Sequence, residues 1–270
     1  MTKQGQAALS AKEKLKKVKC FLLDMDGTVY VGDHLIGDMK NTLQAIRDSG
    51  RRIVFLTNNS SRSAKTYREK LERLGIYGEN DGIYTSGMAT ARYLSLHKPG
   101  EKVYLVGTDA LKEEFLSSGI ALSEEANVAV LGYDTTLDYP KICKLNELLC
   151  RGAYFVATHP DMVCPAPGCS VPDVGSFLEM FRASSGRRPD EICGKPFPAM
   201  GEAVADFLGL KKEEILMAGD RLNTDVQFGI NSGFFSLLVY SGEATREAYA
   251  ASGLTVDLAL PSLNDVVPYL

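Results

Sequence analysis

The sequence predicts an α/β fold, a parallel sheet whose strands are joined by helices. Three observations predict it. Short apolar runs of strand type alternate with amphipathic helical stretches along almost the whole chain of 270 residues. The order strand, helix, strand, helix requires crossovers, which are right-handed in parallel sheets. Acidic residues stand directly after two of the apolar runs, where open α/β folds place their ligand crevice.

The first run, Cys20-Phe21-Leu22-Leu23, has the length and composition of a buried strand and is followed by Asp24-Met25-Asp26-Gly27-Thr28. A helix is expected from about Met39 to Ser49, with Asp38 as N-cap, Gly50 after its end, and Met39, Leu43 and Ile46 on one face. Arg52 to Leu56 reads as the second strand and Ala64 to Leu74 as the next helix, with Ser61 or Ser63 as cap and Gly75 beyond it. Further strands are expected at Val103–Val106, Val128–Leu131, Tyr154–Thr158, Ile215–Ala218 and Phe235–Val239. Further helices are expected at Ala110–Ser118, Tyr139–Cys150, Gly175–Ala183, Pro198–Leu208 and Asp225–Asn231. One stretch breaks the rhythm, Asp161 to Val174 with Pro165, Pro167, Gly168 and Pro172, and long loops inside a compact domain are usually functional or mobile.

Composition bounds the function classes. The chain is 45% hydrophobic and 24% charged, enough for one or two sizeable cores, and its formal net charge of −4 gives no basic footprint for nucleic acid. The basic run Lys12 to Lys19 reads as a solvated helix or frayed tail. The first twenty residues lack the apolar core of a signal peptide and no run is long enough to span a bilayer, so a cytoplasmic protein away from membranes is expected. Six cysteines form no Cys-x-x-Cys pair and do not cluster with His34, His97 and His159. Free thiols, mostly buried, are therefore expected, and zinc is not. A homodimer is the expected assembly because symmetric dimers are common.

Four stations carry chemistry. In Asp24-x-Asp26-Gly27, two neighbouring carboxylates repel unless a cation lies between them or one holds a proton. The same letters also form turns and open a calcium loop, but the twelfth position of such a loop would be Leu35 where a Glu is required. Thr57-Asn58-Asn59, after the second strand, offers a hydroxyl, amides and backbone N–H groups to phosphate oxygens, or makes a polar turn. Gly194-Lys195-Pro196 can deliver a point charge to a phosphate, although most lysines are merely solvated. Gly219-Asp220 and Asp225 supply two more carboxylates; Asp225 could cap the next helix, whereas Asp220 at the end of a buried strand needs a partner.

The ordered set Asp24-x-Asp26-Gly27-Thr28, Thr57-Asn58-Asn59, Lys195 and Gly219-Asp220-x-x-x-x-Asp225 resembles the haloacid dehalogenase-like (HAD) superfamily. The short segment after Tyr30, about a hundred residues between Ser86 and Glu191, and the phrases Leu56-Thr57-Asn58-Asn59-Ser60, Thr158-x-Pro160-Asp161 and Gly186-Arg187-x-Pro189 resemble its NagD-like branch. That branch includes 4-nitrophenylphosphate, phosphoglycolate and pyridoxal phosphate phosphatases. His159 departs from the Thr-Asn-Pro-Asp usual there; a hydrogen-bonded structural role is expected of it ahead of substrate contact.

The resemblance implies a Rossmann-like parallel-sheet core at 1–86 and 190–270, with an α/β cap inserted at 87–189 that sets substrate choice, the 161–174 loop facing the pocket. It implies Mg²⁺-dependent hydrolysis of a small phosphorylated metabolite through an aspartyl-phosphate. In that scheme Asp24 is nucleophile and Asp26 general acid and base. Asp24, the Asp26 backbone carbonyl, Asp220 and, from farther out, Asp225 serve the metal. Thr57, Asn58, Asn59 and Lys195 serve the phosphoryl group. The alternatives are a phosphomutase using the same intermediate and a catalytically silent binding module.

Overall fold

The computed structural model describes residues 11–166 and 168–270; the first ten residues and Pro167 of the 161–174 stretch lie outside the described residues. In chain order the strands are β1 (Cys20–Leu23), β2 (Tyr30–Val31), β3 (His34–Leu35), β4 (Arg52–Thr57), β5 (Gly82–Thr85), β6 (Val103–Val106), β7 (Val128–Leu131), β8 (Tyr154–Ala157), β9 (Val163–Cys164), β10 (Val171–Pro172), β11 (Glu191–Ile192), β12 (Ile215–Gly219), β13 (Phe235–Val239) and β14 (Leu258–Leu260). The chain divides into two compact units. The first holds the described residues up to Leu56, Tyr67–Tyr84 and Val204–Leu270; the second holds Thr57–Thr66 and Thr85–Ala203.

The first unit is built on a six-stranded sheet in the order β14-β13-β12-β1-β4-β5. The pairs β1–β12, β1–β4, β12–β13 and β13–β14 are parallel. Reading from β5 inward to β1 and then outward to β14 gives the doubly wound order 3-2-1-4-5-6, whose topological switch point adjoins the first strand. All four residues of β1 and all five of β12 are buried, as strands covered on both faces require. Each large side chain so buried contributes on the order of 2 kcal/mol. The helix Met39–Asp48 buries Met39, Leu43 and Ile46 as the periodicity dictates. Asp38 stands at its N-cap position without capping it; the carboxylate takes an N–H from the Asn41 side chain instead (2.8 Å). In the basic run the described residues 11–15 are helical, with Leu15 fully buried, while Lys14 pairs with Asp257 (2.5 Å) and Lys19 with Glu214 (2.6 Å).

The second unit holds a four-stranded sheet, β11-β8-β7-β6, parallel throughout. Helices Tyr139–Cys150 and Val174–Ser185 cover it, packing Leu145, Leu148, Leu149, Val174 and Phe181 on Tyr104, Val106, Leu131 and Phe155. The 161–174 stretch, expected as a loop, carries the antiparallel hairpin β9–β10. These units run differently from the core and cap boundaries expected from the sequence, because 57–66 and 190–203 group with the second unit. The reason is local: β11 extends the second sheet beside β8, Ser60 bonds Thr158, and Asn58 bonds Lys195.

The cysteines are all free, but only Cys20 and Cys193 are buried; Cys164 is half-buried and Cys143, Cys150 and Cys169 are exposed, so the expectation of mostly buried thiols is corrected. Cys143 and Cys150 sit on helix Tyr139–Cys150 and Cys169 in the loop joining β9 to β10, positions that sheet periodicity does not bury. No helix among the described residues is long and apolar enough to cross a membrane.

Candidate active site

In the first unit the site begins with a register. Leu23 of β1 lies beside Ala218 of β12 in a parallel ladder, so the next residues, Asp24 and Gly219, are neighbours and Asp220 is one step on. The Asp24 N–H donates to the Ala218 carbonyl (2.9 Å), extending the ladder to Asp24. Carboxylate oxygens of Asp24, Asp220 and Asp225 lie within 4.8 Å of one another. Asp24 is half-buried, while Asp220 and Asp225 are almost fully buried. Asp225 arrives in a π-helical turn, Leu222–Val226, ahead of helix Gln227–Ser232. It is therefore not the N-cap of that helix; the widened turn carries its carboxylate back to accept the Arg221 N–H (3.1 Å).

Three glycines make room for these acids. A Cβ on Gly27 would sit 2.4 Å from Asp220 Oδ2, one on Gly219 would sit 2.3 Å from Asp225 Cγ, and one on Gly242 would sit 2.0 Å from Asp220 Oδ2. Gly27 also has φ +87°, a conformation that side chains disfavour. Asp220 accepts the Glu243 N–H (2.7 Å) and the Thr28 hydroxyl (3.3 Å). Burial, and next the negative charge of Asp225, push its carboxyl up to about 6 against the opposing Glu243 N–H. Asp26 is exposed; its side chain receives a long N–H from Gly32 (3.4 Å). The segment Ser241–Ala244 was not anticipated. Ser241 donates to the Gly27 carbonyl (2.7 Å) and Ala244 to the Asp220 carbonyl (3.0 Å). The available signal was Ser241-Gly242 soon after β13, a third strand end.

All-carboxylate oxygens, with no thiolate or imidazole, suit a hard cation such as Mg²⁺. The acid cradle fits one on this ground, three carboxylates converging with oxygens within 4.8 Å of one another.

In the second unit Asn58 and Lys195 are bound to each other. The Asn58 amide oxygen accepts the Lys195 N–H (2.8 Å), and its amide nitrogen donates to the Lys195 carbonyl (2.9 Å) and to the Asp161 carboxylate (3.2 Å). Both amide hydrogens are thereby used, which fixes the amide orientation. The Asn58 carbonyl accepts the Ser86 hydroxyl. Lys195 is 1% exposed. Asn59 folds back onto Ser61, accepting its N–H (2.9 Å) and hydroxyl (2.7 Å), while Thr57 Oγ1 accepts the Asn59 N–H (3.1 Å). The side chains of Asn58 and Asn59, expected to meet phosphate, are thus engaged in shaping the loop and holding Lys195. His159 is fully buried between Thr158 Oγ1 and Asp173 Oδ1, each 3.0 Å away, the hydrogen-bonded arrangement expected of it.

Comparison with known proteins agrees with these features. The family described as "Haloacid dehalogenase-like hydrolase" matches residues 21–121, and a second HAD-like family matches 192–266. The chain is similar to 5'-nucleotidase YutF of Bacillus subtilis, 32% identical over 95% of this chain and 100% of the relative. It is similar to an acid sugar phosphatase of Staphylococcus aureus, 30% identical over 95% and 99%. A solved 4-nitrophenylphosphatase from Thermotoga maritima superposes with a TM-score of 0.90 at 38% identity, covering 94% of this chain and 98% of that one.

Proposed function

Because the chain belongs to the haloacid dehalogenase-like hydrolases, in their NagD-like branch, we propose that it is a Mg²⁺-dependent phosphatase of small phosphate monoesters that works through an aspartyl-phosphate. The observation that carries this reading is the convergence of Asp24, Asp220 and Asp225 at the carboxyl ends of β1 and β12. Similar proteins named as a nucleotidase, a sugar phosphatase and a nitrophenylphosphatase support the reaction class while differing in substrate.

In this mechanism a carboxylate oxygen of Asp24 attacks phosphorus in line and forms the acyl-phosphate bond as the ester P–O bond breaks. Asp26 gives its proton to the leaving oxygen. It then takes a proton from the water that cleaves the acyl-phosphate, releasing inorganic phosphate and restoring Asp24. The exposure of Asp26 leaves its carboxyl accessible to that exchange. Asp24, the Asp26 carbonyl and Asp220 would hold Mg²⁺, with Asp225 orienting from behind. When bound, the ion supplies charge neutralisation that lets an anionic carboxylate approach an anionic ester. Thr57 and Lys195 stabilise charge on the transferring group, and Asn58 keeps the Lys195 backbone in place.

We assign residues 87–189 to the cap that selects the leaving group, with the 161–174 stretch as its contact segment, and we place the activity in the cytoplasm on a sugar phosphate or similar metabolite. The test is phosphate release from 4-nitrophenyl phosphate and a panel of sugar phosphates and nucleoside monophosphates. The expected result is turnover in wild type and loss of at least a thousandfold in Asp24→Asn with the fold retained. Turnover by Asp24→Asn near the wild-type rate would refute the nucleophile assignment.

A further inference from the structure

A buried chain of hydrogen bonds runs through the second unit from the end of the Thr57-Asn58-Asn59 loop to the hairpin. The Tyr133 N–H donates to Ser60 Oγ (2.9 Å), Ser60 Oγ meets Thr158 Oγ1 (3.0 Å), Thr158 Oγ1 meets His159 Nδ1 (3.0 Å), and His159 Nε2 meets Asp173 Oδ1 (3.0 Å). Ser60, Thr158, His159 and Asp173 are all at least nine-tenths buried. The carboxylate of Asp173 accepts from Nε2, and Nδ1 is bonded to the Thr158 hydroxyl.

The two ends of the hairpin stem are therefore fixed from below. On the outgoing side Asp161 bonds the Asn58 amide. On the returning side Asp173 bonds His159, and its own N–H donates to the Met162 carbonyl (3.1 Å). The stem leaves no space for adjustment: a Cβ on Gly194 would sit 2.6 Å from His159 Cβ and 2.8 Å from Asn58 Oδ1, and one on Gly175 would sit 2.4 Å from the Pro160 carbonyl. Beyond the stem, Met162, Val163 and Val171 are exposed apolar side chains.

We propose that His159 is a positioning residue: its bond to Asp173 holds the 163–172 hairpin in fixed register with the Asn58–Lys195 pair, and so governs affinity for the leaving group without touching the phosphoryl group. The second half of this statement rests on the phosphatase reading; the first half does not. A buried hydrogen-bond chain rigidifies what it joins, and cutting one link releases the segment it restrains to local opening.

Three variants divide the ring's two contacts. His159→Gln can place an amide N–H where Nε2 lies and keep Asp173. His159→Asn reaches only to Thr158. His159→Leu keeps the bulk and loses both bonds. Amide hydrogen exchange of the unliganded protein should rise about tenfold or more across 163–172 in the Leu and Asn variants and stay within about threefold of wild type in Gln, with β7 protection unchanged as the control for folding. Unchanged hairpin exchange in the Leu variant, or a rise of equal size in Gln, would overturn the proposal, as would loss of β7 protection in step with the hairpin in all three. In activity, KM for bulky monoesters should rise about tenfold in the Asn variant while kcat on 4-nitrophenyl phosphate stays within about threefold; a fall in kcat at constant KM would overturn the affinity role. If wild type released phosphate from no monoester, the proposed function would fall, and the exchange pattern would still decide the positioning role.

Discussion

Glu114→Gln should flatten the pH dependence of stability. Glu114 lies on helix Asp109–Ser117 and accepts the Thr85 hydroxyl (3.2 Å); Thr85 in turn caps helix Ser86–His97 by accepting the Met88 N–H (3.0 Å). A Cβ on Gly87 would sit 2.2 Å from Glu114 Oε2, so the carboxyl is wedged against the start of that helix. Burial pushes its pKa from 4.5 up to about 7, with the Thr85 bond opposing. The folded state therefore holds a proton that the unfolded chain gives up. Stability from this group is fully present below pH 4.5 and is lost as the pH rises through 7. Integrating the two titrations gives a loss of about 2.5 kcal/mol between pH 5 and pH 8. Gln keeps the acceptor for Thr85 and does not titrate. Urea unfolding of both proteins at pH 5 and pH 8 reads the effect as a double difference, which cancels every group the two share. Parallel pH profiles for the two proteins would refute the reasoning.

Mg²⁺ at a hundredfold excess over its Kd should stabilise the first unit by about 2.7 kcal/mol, read as a rise in unfolding midpoint. Asp220→Asn should abolish that rise, and chelator should remove turnover; full activity in excess chelator would exclude the metal role. Gly219→Ala drives a methyl into Asp225, so kcat on 4-nitrophenyl phosphate should fall at least tenfold; a neutral result would show that Asp225 is free to move. Arg47→Ala strips a two-point partner (2.5 and 3.2 Å) from the buried Asp81 carboxylate and should cost about 3 kcal/mol, measured by denaturant unfolding.

The central strands and the carboxylates behind them were legible because each is short, apolar and punctuated: Cys20–Leu23 and Ile215–Gly219 admit no other reading at their length. Helices Tyr139–Cys150 and Pro198–Leu208 coincide with their expected limits for the same reason, a clear apolar stripe bounded by breakers. β5 and helix Ser86–His97 leave no clear pattern in the sequence. They follow one another without a loop, and the helix packs through small residues, Ser86, Gly87, Ala89, Thr90 and Ala91, that give little apolar contrast with its outer face. The three-residue edge strand β14 and the two-residue strands β9 and β10 are too short to carry a period at all. At the site, residue types identified the acids, but not what the amides do. Asn58 in a polar triplet reads as a donor to a ligand; only the pairing of its amide with the Lys195 backbone, 137 residues away in sequence, shows it occupied.

The acids of the first unit pose a different problem. Two buried carboxylates a few ångströms apart are an electrostatic liability, and the chain answers it at Asp220 with the Glu243 N–H and the Thr28 hydroxyl and at Asp225 with the Arg221 N–H. It could have relieved more by moving the acids apart. Instead Gly27, Gly219 and Gly242 remove the side chains that would force such a separation, and backbone closes around Asp220 from two segments. A fold selected for stability alone would place apolar side chains there, since exchanging a buried charge cluster for well-packed hydrophobic residues is commonly neutral or stabilising. On the proposed metal role the closeness of Asp24, Asp220 and Asp225 serves a cation: burial, and next the charge of Asp225, raise the Asp220 pKa, and a divalent ion among the three carboxylates would offset both.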